Sequence, residues 1–277
     1  SSWTQIAAGQ SQIFAIRADG ALYAWGQGAS GALGNGSTAN ANSPVPIGTS
    51  SWTALAGQSA AIRIDGRLFA WGPNTNGQLG DNTIVDKSSP VQIGTSSWTM
   101  ASFDRLGASV GILTNGLLYA WGNNTNGSLG LADNIHRSSP TQVGSRSWVK
   151  VVTGGFVTYG LTSTYNLFTW GLNTFGALGD GTATNRNSPI AIGAAVYKDI
   201  AVGKSGATQG RIGFALRANG ALFAAGTTPQ TGLNEAISRS SPVQVGTSSW
   251  IAISSSSTGH SLGVEDRKST RLNSSHT

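Results

Sequence analysis

Short stretches of alternating apolar and polar residues, broken by glycine, run through almost the whole chain. In the stretch 60–72, "AAIRIDGRLFAWG", two apolar runs flank Asp65-Gly66. A period of two over four to eight residues marks a half-buried strand, and Asp-Gly between two such runs predicts a β-hairpin with a type I′ turn. The same turn is expected at Asp19-Gly20, Asn115-Gly116 and Asn219-Gly220. Upstream of the hairpin, "SWTALAG" reads as a further strand. Downstream, a Gly-rich loop, "PNTNGQLGDNT", leads into "SPVQIG", an extended piece whose proline suits a strand start or an edge. Residues 52–97 thus predict a unit of four short strands and no helix.

The unit is repeated. Ser-Trp recurs at Trp3, Trp52, Trp98, Trp148 and Trp250, with Val196-Tyr197 in the missing place, in steps of 49, 46, 50, 49 and 53 residues. Trp-Gly recurs at Trp25, Trp71, Trp121 and Trp170, with Ala225-Gly226 as its fifth member. Ser-Pro follows at Pro44, Pro90, Pro140, Pro189 and Pro242, and Leu-Gly at Leu33, Leu79, Leu129 and Leu178. Units of four short strands at this period match the blades of a β-propeller. A blade cannot bury both faces alone, so the once-per-unit tryptophans are expected to pack between neighbours. The boundaries are expected near 3–51, 52–97, 98–147, 148–196 and 197–249, with a sixth unit starting at 250–265: one propeller domain over 1–265.

Composition narrows the class. The chain has 277 residues, 39 of them Gly, no Cys, and only 10% charged residues. Low charge with many aromatics argues against disorder, and so much glycine argues against a helical bundle, at about 1 kcal/mol per helical position. No apolar run approaches the roughly 20 residues that span a bilayer, so no membrane insertion is expected. Disulfides and thiolate metal sites are excluded.

The residues resemble the regulator of chromosome condensation family. The resemblance rests on Trp-Gly, then N-x-x-G-x-L-G-D/N-G/N-T, then Ser-Pro-V-x-V/I-G and a following Trp, as in "RLFAWGPNTNGQLGDNT" and "SPVQIGTSSWT". It covers residues 1–265 and implies a seven-bladed propeller of about 50 residues per blade. Five complete blades and the start of a sixth fall short of that ring. Because "SSWTQIAAG" begins where the interior reads "IGTSSWTALAG", a preceding blade is expected before Ser1. There are departures: the His before the hairpin survives only as His260, the turn of repeat four is replaced by Tyr165-Asn166, and repeat five carries "AAGTTPQTGLNE".

Residues 266–277, "DRKSTRLNSSHT", have no blade features and resemble a translated sequencing adapter, so they are expected to be a non-native tail. Without their three cations and one anion the net charge falls from +6 to +4, which weakens any case for nucleic-acid binding.

Little catalytic chemistry is visible, and no enzyme or cofactor is expected. "GASVG" at 107–111 fits the G-x-S-x-G nucleophile pattern around Ser109 but lacks the strand–turn–helix setting it needs. "AVGKSG" at 201–206 lacks the first glycine of a phosphate loop, since position 198 is Lys. Three His, one of them in the tail, cannot build a His-rich metal site. Two features suggest a surface instead. Lys87, Arg137, Arg186 and Arg239 each stand three residues before the repeat's proline. They are expected to form an arc of positive charge that either meets an acidic protein, polysaccharide or phosphate backbone, or simply ties down its own loops. Two loops lengthen before the hairpin, at 102–107 and 203–211, and offer Arg105, Lys204, Gln209 and Arg211 as contacts. The expected function is a non-enzymatic scaffold binding a protein or glycan, in the style of a bacterial or phage surface protein. The family's eukaryotic founder implies an alternative, guanine-nucleotide exchange with chromatin binding, for which the 46–53-residue spacing leaves little room for an inserted wedge. Inhibition of a secreted enzyme is a third reading.

Overall fold

Alternating side chains leave each strand with one face to bury, and the chain solves this by stacking small sheets against one another. The computed structural model describes residues 2–9, 11–104, 107–204, 211–227, 231, 233, 237–255 and 261–266, of which 204 and 261 are described by backbone alone. Among the described residues the regular structure is all strand, apart from a 3-10 turn at Ala29–Gly31.

Strands β1 (Trp3–Ala8), β2 (Gln12–Arg17), β3 (Leu22–Gly26) and β4 (Ala41–Pro46) form an antiparallel sheet in chain order. Strands β5 (Trp52–Leu55), β6 (Ala60–Arg63), β7 (Leu68–Gly72) and β8 (Lys87–Gln92) repeat it. The third sheet starts with β9 (Trp98–Phe103), β10 (Ala108–Leu113) and β11 (Leu117–Gly122). Its outer strand runs on into the next repeat: β12 (Arg137–Gly154) pairs with β11 up to Ser147 and with β13 (Val157–Thr162) from Trp148 onward. After β14 (Asn166–Gly171), β15 (Arg186–Lys204) does the same, pairing with β14 up to Val196 and with β16 (Arg211–Arg217) from Tyr197. Strands β17 (Leu222–Gly226) and β18 (Arg239–Gln244) close that sheet, and β19 (Trp250–Ser255) pairs with β20 (Ser261–Glu265).

The core lies between sheets. Phe14, Leu22, Leu33 and Ile47 of the first repeat cluster with Trp52, Ala61 and Trp71 of the second. Leu68, Leu79 and Ile93 cluster likewise with Trp98, Phe103 and Trp121, and the joint after the third repeat gathers Leu118, Leu129, Trp148 and Trp170. Burying one such ring contributes roughly 1.5–3 kcal/mol. The Trp-Gly ring faces backward along the chain: a Cβ at Gly34, Gly80 or Gly130 would lie within 2.8 Å of Trp71, Trp121 or Trp170 of the following repeat. In repeats two to four the two tryptophans meet edge to face, as in Trp98–Trp121 at 5.6 Å and Trp148–Trp170 at 5.8 Å, whereas Trp3 and Trp25 are tilted at 6.5 Å. Trp3 differs, with 44% of its surface exposed.

Two local expectations are corrected. The hairpin turns are not type I′, which needs positive φ at both central residues. Arg63 N–H donates to Arg67 O at 2.8 Å and Gly66 N–H to Arg63 O at 2.9 Å, leaving the three-residue loop Ile64-Asp65-Gly66. Only Gly66, at φ +80°, is left-handed, so the loop is a type I turn closed by a Gly bulge. In repeat four the same left-handed place is held by Tyr165 at φ +61°, while Asn166 already starts β14. The fourth strand also begins three residues earlier than its proline. Gly72 pairs with Lys87, Gly122 with Arg137, Gly171 with Arg186 and Gly226 with Arg239, so each arc cation is the first residue of its strand.

Candidate functional site

The cation arc is built into the Gly-rich loops. Asn74 is fully buried; its Oδ1 accepts Leu79 N–H at 2.9 Å, and its Nδ2 donates to Asp81 Oδ1 at 3.0 Å. Asp81 Oδ2 in turn lies 3.3 Å from Lys87 Nζ. Repeat four copies this through Asn173, Asp180 and Arg186, whose Nε donates to Asp180 Oδ2 at 2.8 Å. In repeat three the position of Asp81 is occupied by Leu131. Asp133, two residues on, takes its place, accepting from Asn124 at 2.9 Å and from Arg137 at 2.6 Å. Burial pushes the Asp81 and Asp180 carboxyls up, but donors from Thr83 and Lys87, and from Thr182 and Arg186, outweigh it and hold both below the usual range. Lys87, Arg137 and Arg186 therefore each hold a carboxylate of their own loop. Arg239 begins β18 on the same pattern.

A second locus lies at the end where each first strand hands over to the second. The first strands of successive repeats lie side by side. Gln5 bridges β1 to β5, donating to Thr53 O at 2.7 Å and accepting Leu55 N–H at 3.0 Å. Phe103 N–H reaches Ala56 O at 3.1 Å, Thr153 N–H reaches Ser102 Oγ at 3.1 Å, and Gly155 N–H reaches Asp104 Oδ2 at 2.8 Å. Lys150 and Asp199 form an ion pair across the next joint. Where these strands end, a recess of about 170 Å³ opens, and all six repeats line it. Ala8, Gly57, Phe103, Thr153, Val202 and Ser255 all line it, each five residues after its repeat's Ser-Trp or Val-Tyr aromatic.

The loop candidates sort differently. Arg105 and Gln209 lie outside the described residues, as do His260 and the Lys204 side chain, although Asp104 of the first loop and Val202 just before the second line the recess. Arg211 is not a surface contact, since it is only 2% exposed and its Nε donates to Gly155 O. Burial pushes its guanidinium pKa down, against the pull of the Asp104 carboxylate. A strand residue facing inward between repeats has no room to reach a partner, which is why a loop assignment fails for it. Ser109 is fully buried and donates to Gln78 O at 2.8 Å; its counterpart Thr158 donates to Ser128 O at 3.0 Å. The G-x-S-x-G serine is thus a repeated joint between sheets.

The recess was missed in the sequence because its lining shares a position and no chemistry. The constant five-residue offset was the available signal. Among the described residues no group of three or more His, Cys, Asp or Glu side chains could hold a metal, and no helix is long and apolar enough to cross a membrane.

The chain superposes on human WBSCR16 with a TM-score of 0.82 at 17% identity, covering 95% of this chain and 72% of that one. Prp20p from Saccharomyces cerevisiae gives a TM-score of 0.81 at 18% identity, with 95% and 69% coverage. Yeast RCC1 (Prp20) in its complex with Kap60 gives 0.80 at 19%, with 95% and 67%. These likenesses establish the fold as a β-propeller of that type. No curated protein matches the chain in sequence. The model of the regulator of chromosome condensation (RCC1) repeat matches residues 19–56, 65–102, 115–161 and 166–205, more than half of the chain, and the protein belongs to that family.

Proposed function

We infer that the chain is a non-enzymatic binding scaffold that receives a protein partner at its recess-bearing end. The observation that carries this reading is the convergence of one residue from each of six repeats on a single recess of about 170 Å³. That volume is below the roughly 300–1,000 Å³ of sites that enclose a cofactor or drug-sized ligand. It suits one side chain or a loop tip of a larger partner, with the surrounding loops supplying area. Asp104, in the first lengthened loop, and Val202, just before the second, line the same recess, and loops on a rigid scaffold are where recognition concentrates.

Guanine-nucleotide exchange is the alternative suggested by Prp20p, whose structure is described together with its binding properties to Gsp1p and histones. One experiment separates the readings. Wild type and Ala8→Trp are immobilised and offered a small GTPase loaded with fluorescent guanine nucleotide, and a secreted β-lactamase. Ala8 is exposed and lines the recess, so the larger ring fills it without entering the core. Binding that Ala8→Trp abolishes, with no faster nucleotide release, is the expected result. Accelerated release would establish exchange instead, and binding indifferent to Ala8→Trp would remove the recess from the account.

A further inference from the structure

A separate cleft lies on the Gly-rich loops, at the joint between repeats three and four. Thr125, Asn126, Asn134, Asn185 and Asn187 line a volume of about 180 Å³. Among the described residues no charged and no apolar side chain takes part. Asn185 Nδ2 points to Asn126 Oδ1 at a long 3.4 Å, while its Oδ1 accepts Asn173 N–H at 2.7 Å. Among the described residues, the Asn134 side chain and the Asn187 Nδ2 find no hydrogen-bond partner.

The repeats supply an internal control, because the same scaffold carries other residues at the equivalent places. Where repeat three has Asn126, repeat two keeps Asn76, but repeat four has Phe175 and repeat one has Ser30. Where it has Asn134, repeats two and four have Ile84 and Ala183. Asn187 corresponds to Ser88, Ser138 and Ser240. The next-repeat backbone bond at this joint, Ala132 N–H to Asn187 O at 2.8 Å, has counterparts at Asn82–Ser138 and Gly181–Ser240 that need no asparagine. Folding therefore requires only the Asn185 acceptor, a duty that Asp86 and His136 perform in their own repeats. The remaining amides are surplus to the scaffold.

We propose that this cleft binds one neutral sugar unit of a glycan. Each asparagine offers an acceptor oxygen and two donor hydrogens, which matches hydroxyl groups that both give and accept. The lack of charge in the lining favours a neutral ring over a uronate or an amino sugar, and the volume holds one ring. The site is distinct from the recess and does not depend on it.

The test uses the full chain and methyl glycosides of neutral hexoses, followed by saturation-transfer NMR and titration, with glucuronate and glucosamine as charged controls. Asn134→Ile and Asn126→Phe install the residues that Ile84 and Phe175 already occupy in sister repeats, so both are expected to melt with wild type. Binding of a neutral glycoside, weakened about tenfold or more in either variant and unchanged by Ala8→Trp, supports the site. No binding of any neutral glycoside, binding retained in both variants, binding of the charged controls alone, or loss in Ala8→Trp would overturn it.

Discussion

The Trp170 indole N–H donates to the carbonyl of Ser128 at 2.9 Å, tying the fourth repeat to the third. Trp121 does the same to Gln78 at 3.1 Å, but Trp71, equally buried, finds no acceptor for its N–H among the described residues. A buried donor left unsatisfied costs about 1–3 kcal/mol. Removing the N–H therefore takes away a bond at position 170 and relieves a penalty at position 71. Trp170→Phe should lower stability more than Trp71→Phe by about 1–3 kcal/mol, read as the difference in urea unfolding midpoints. Equal losses would show that the carbonyl contact contributes nothing.

The glycines behind those rings give a second test. A Cβ on Gly130, at φ +72°, would stand 2.8 Å from Trp170 Nε1, whereas Gly144, at φ +57°, has nothing within 4 Å. Both alanine variants carry left-handed strain of roughly 1–2 kcal/mol. Only Gly130→Ala must also displace a packed indole, which adds roughly 1–3 kcal/mol of overpacking. Thermal melts should show a clearly larger fall in Tm for Gly130→Ala than for Gly144→Ala.

The repeat, the strand pattern and the tryptophan core were legible because each rests on residues recurring at a fixed spacing, and periodicity survives without coordinates. The turn type was not legible. Asp65-Gly66 serves both the two-residue and the three-residue loop, and only the Arg63–Arg67 pairing decides between them. The arc of Lys87, Arg137 and Arg186 was visible as a line of charge, but its carboxylate partners shift from Asp81 and Asp180 to Asp133 in the middle repeat. That two-residue displacement hides the pairing until the loop is folded. The recess escaped because Ala8, Phe103, Thr153 and Val202 have nothing in common except where they stand.

The loop carboxylates make a prediction about acid. Asp180 is held below its ordinary pKa in the folded chain, through bonds from Thr182, Arg186 and Asn173 that overcome burial. A depressed folded pKa contributes stability fully above the unfolded value of about 3.9 and loses it as pH falls through the lower folded value. Asp180→Asn should cost about 1–3 kcal/mol at pH 7. Its deficit relative to wild type should shrink as urea titrations are carried from pH 5 down to pH 2. A deficit that stays constant across that range would mean the charge on Asp180 is irrelevant to the loop.

Tyr165 offers a stabilising change. It occupies the left-handed place of Gly116, and its carbonyl accepts Tyr197 N–H at 3.0 Å just as Gly116 O accepts Trp148 N–H at 2.9 Å. The backbone conformation is thus fixed by the hairpin, while the residue type opposes it. A Cβ in this region costs roughly 1–2 kcal/mol, and glycine returns part of that through its greater freedom in the unfolded chain, about 0.4–1 kcal/mol. The residue is 49% exposed, so little packing is lost with its ring. Tyr165→Gly should therefore raise stability by about 0.5–1 kcal/mol, seen as a higher urea midpoint with an unchanged slope. A lower midpoint would mean that the tyrosine ring, which lines a surface pocket with Val196 and Lys198, contributes more than its backbone strain costs.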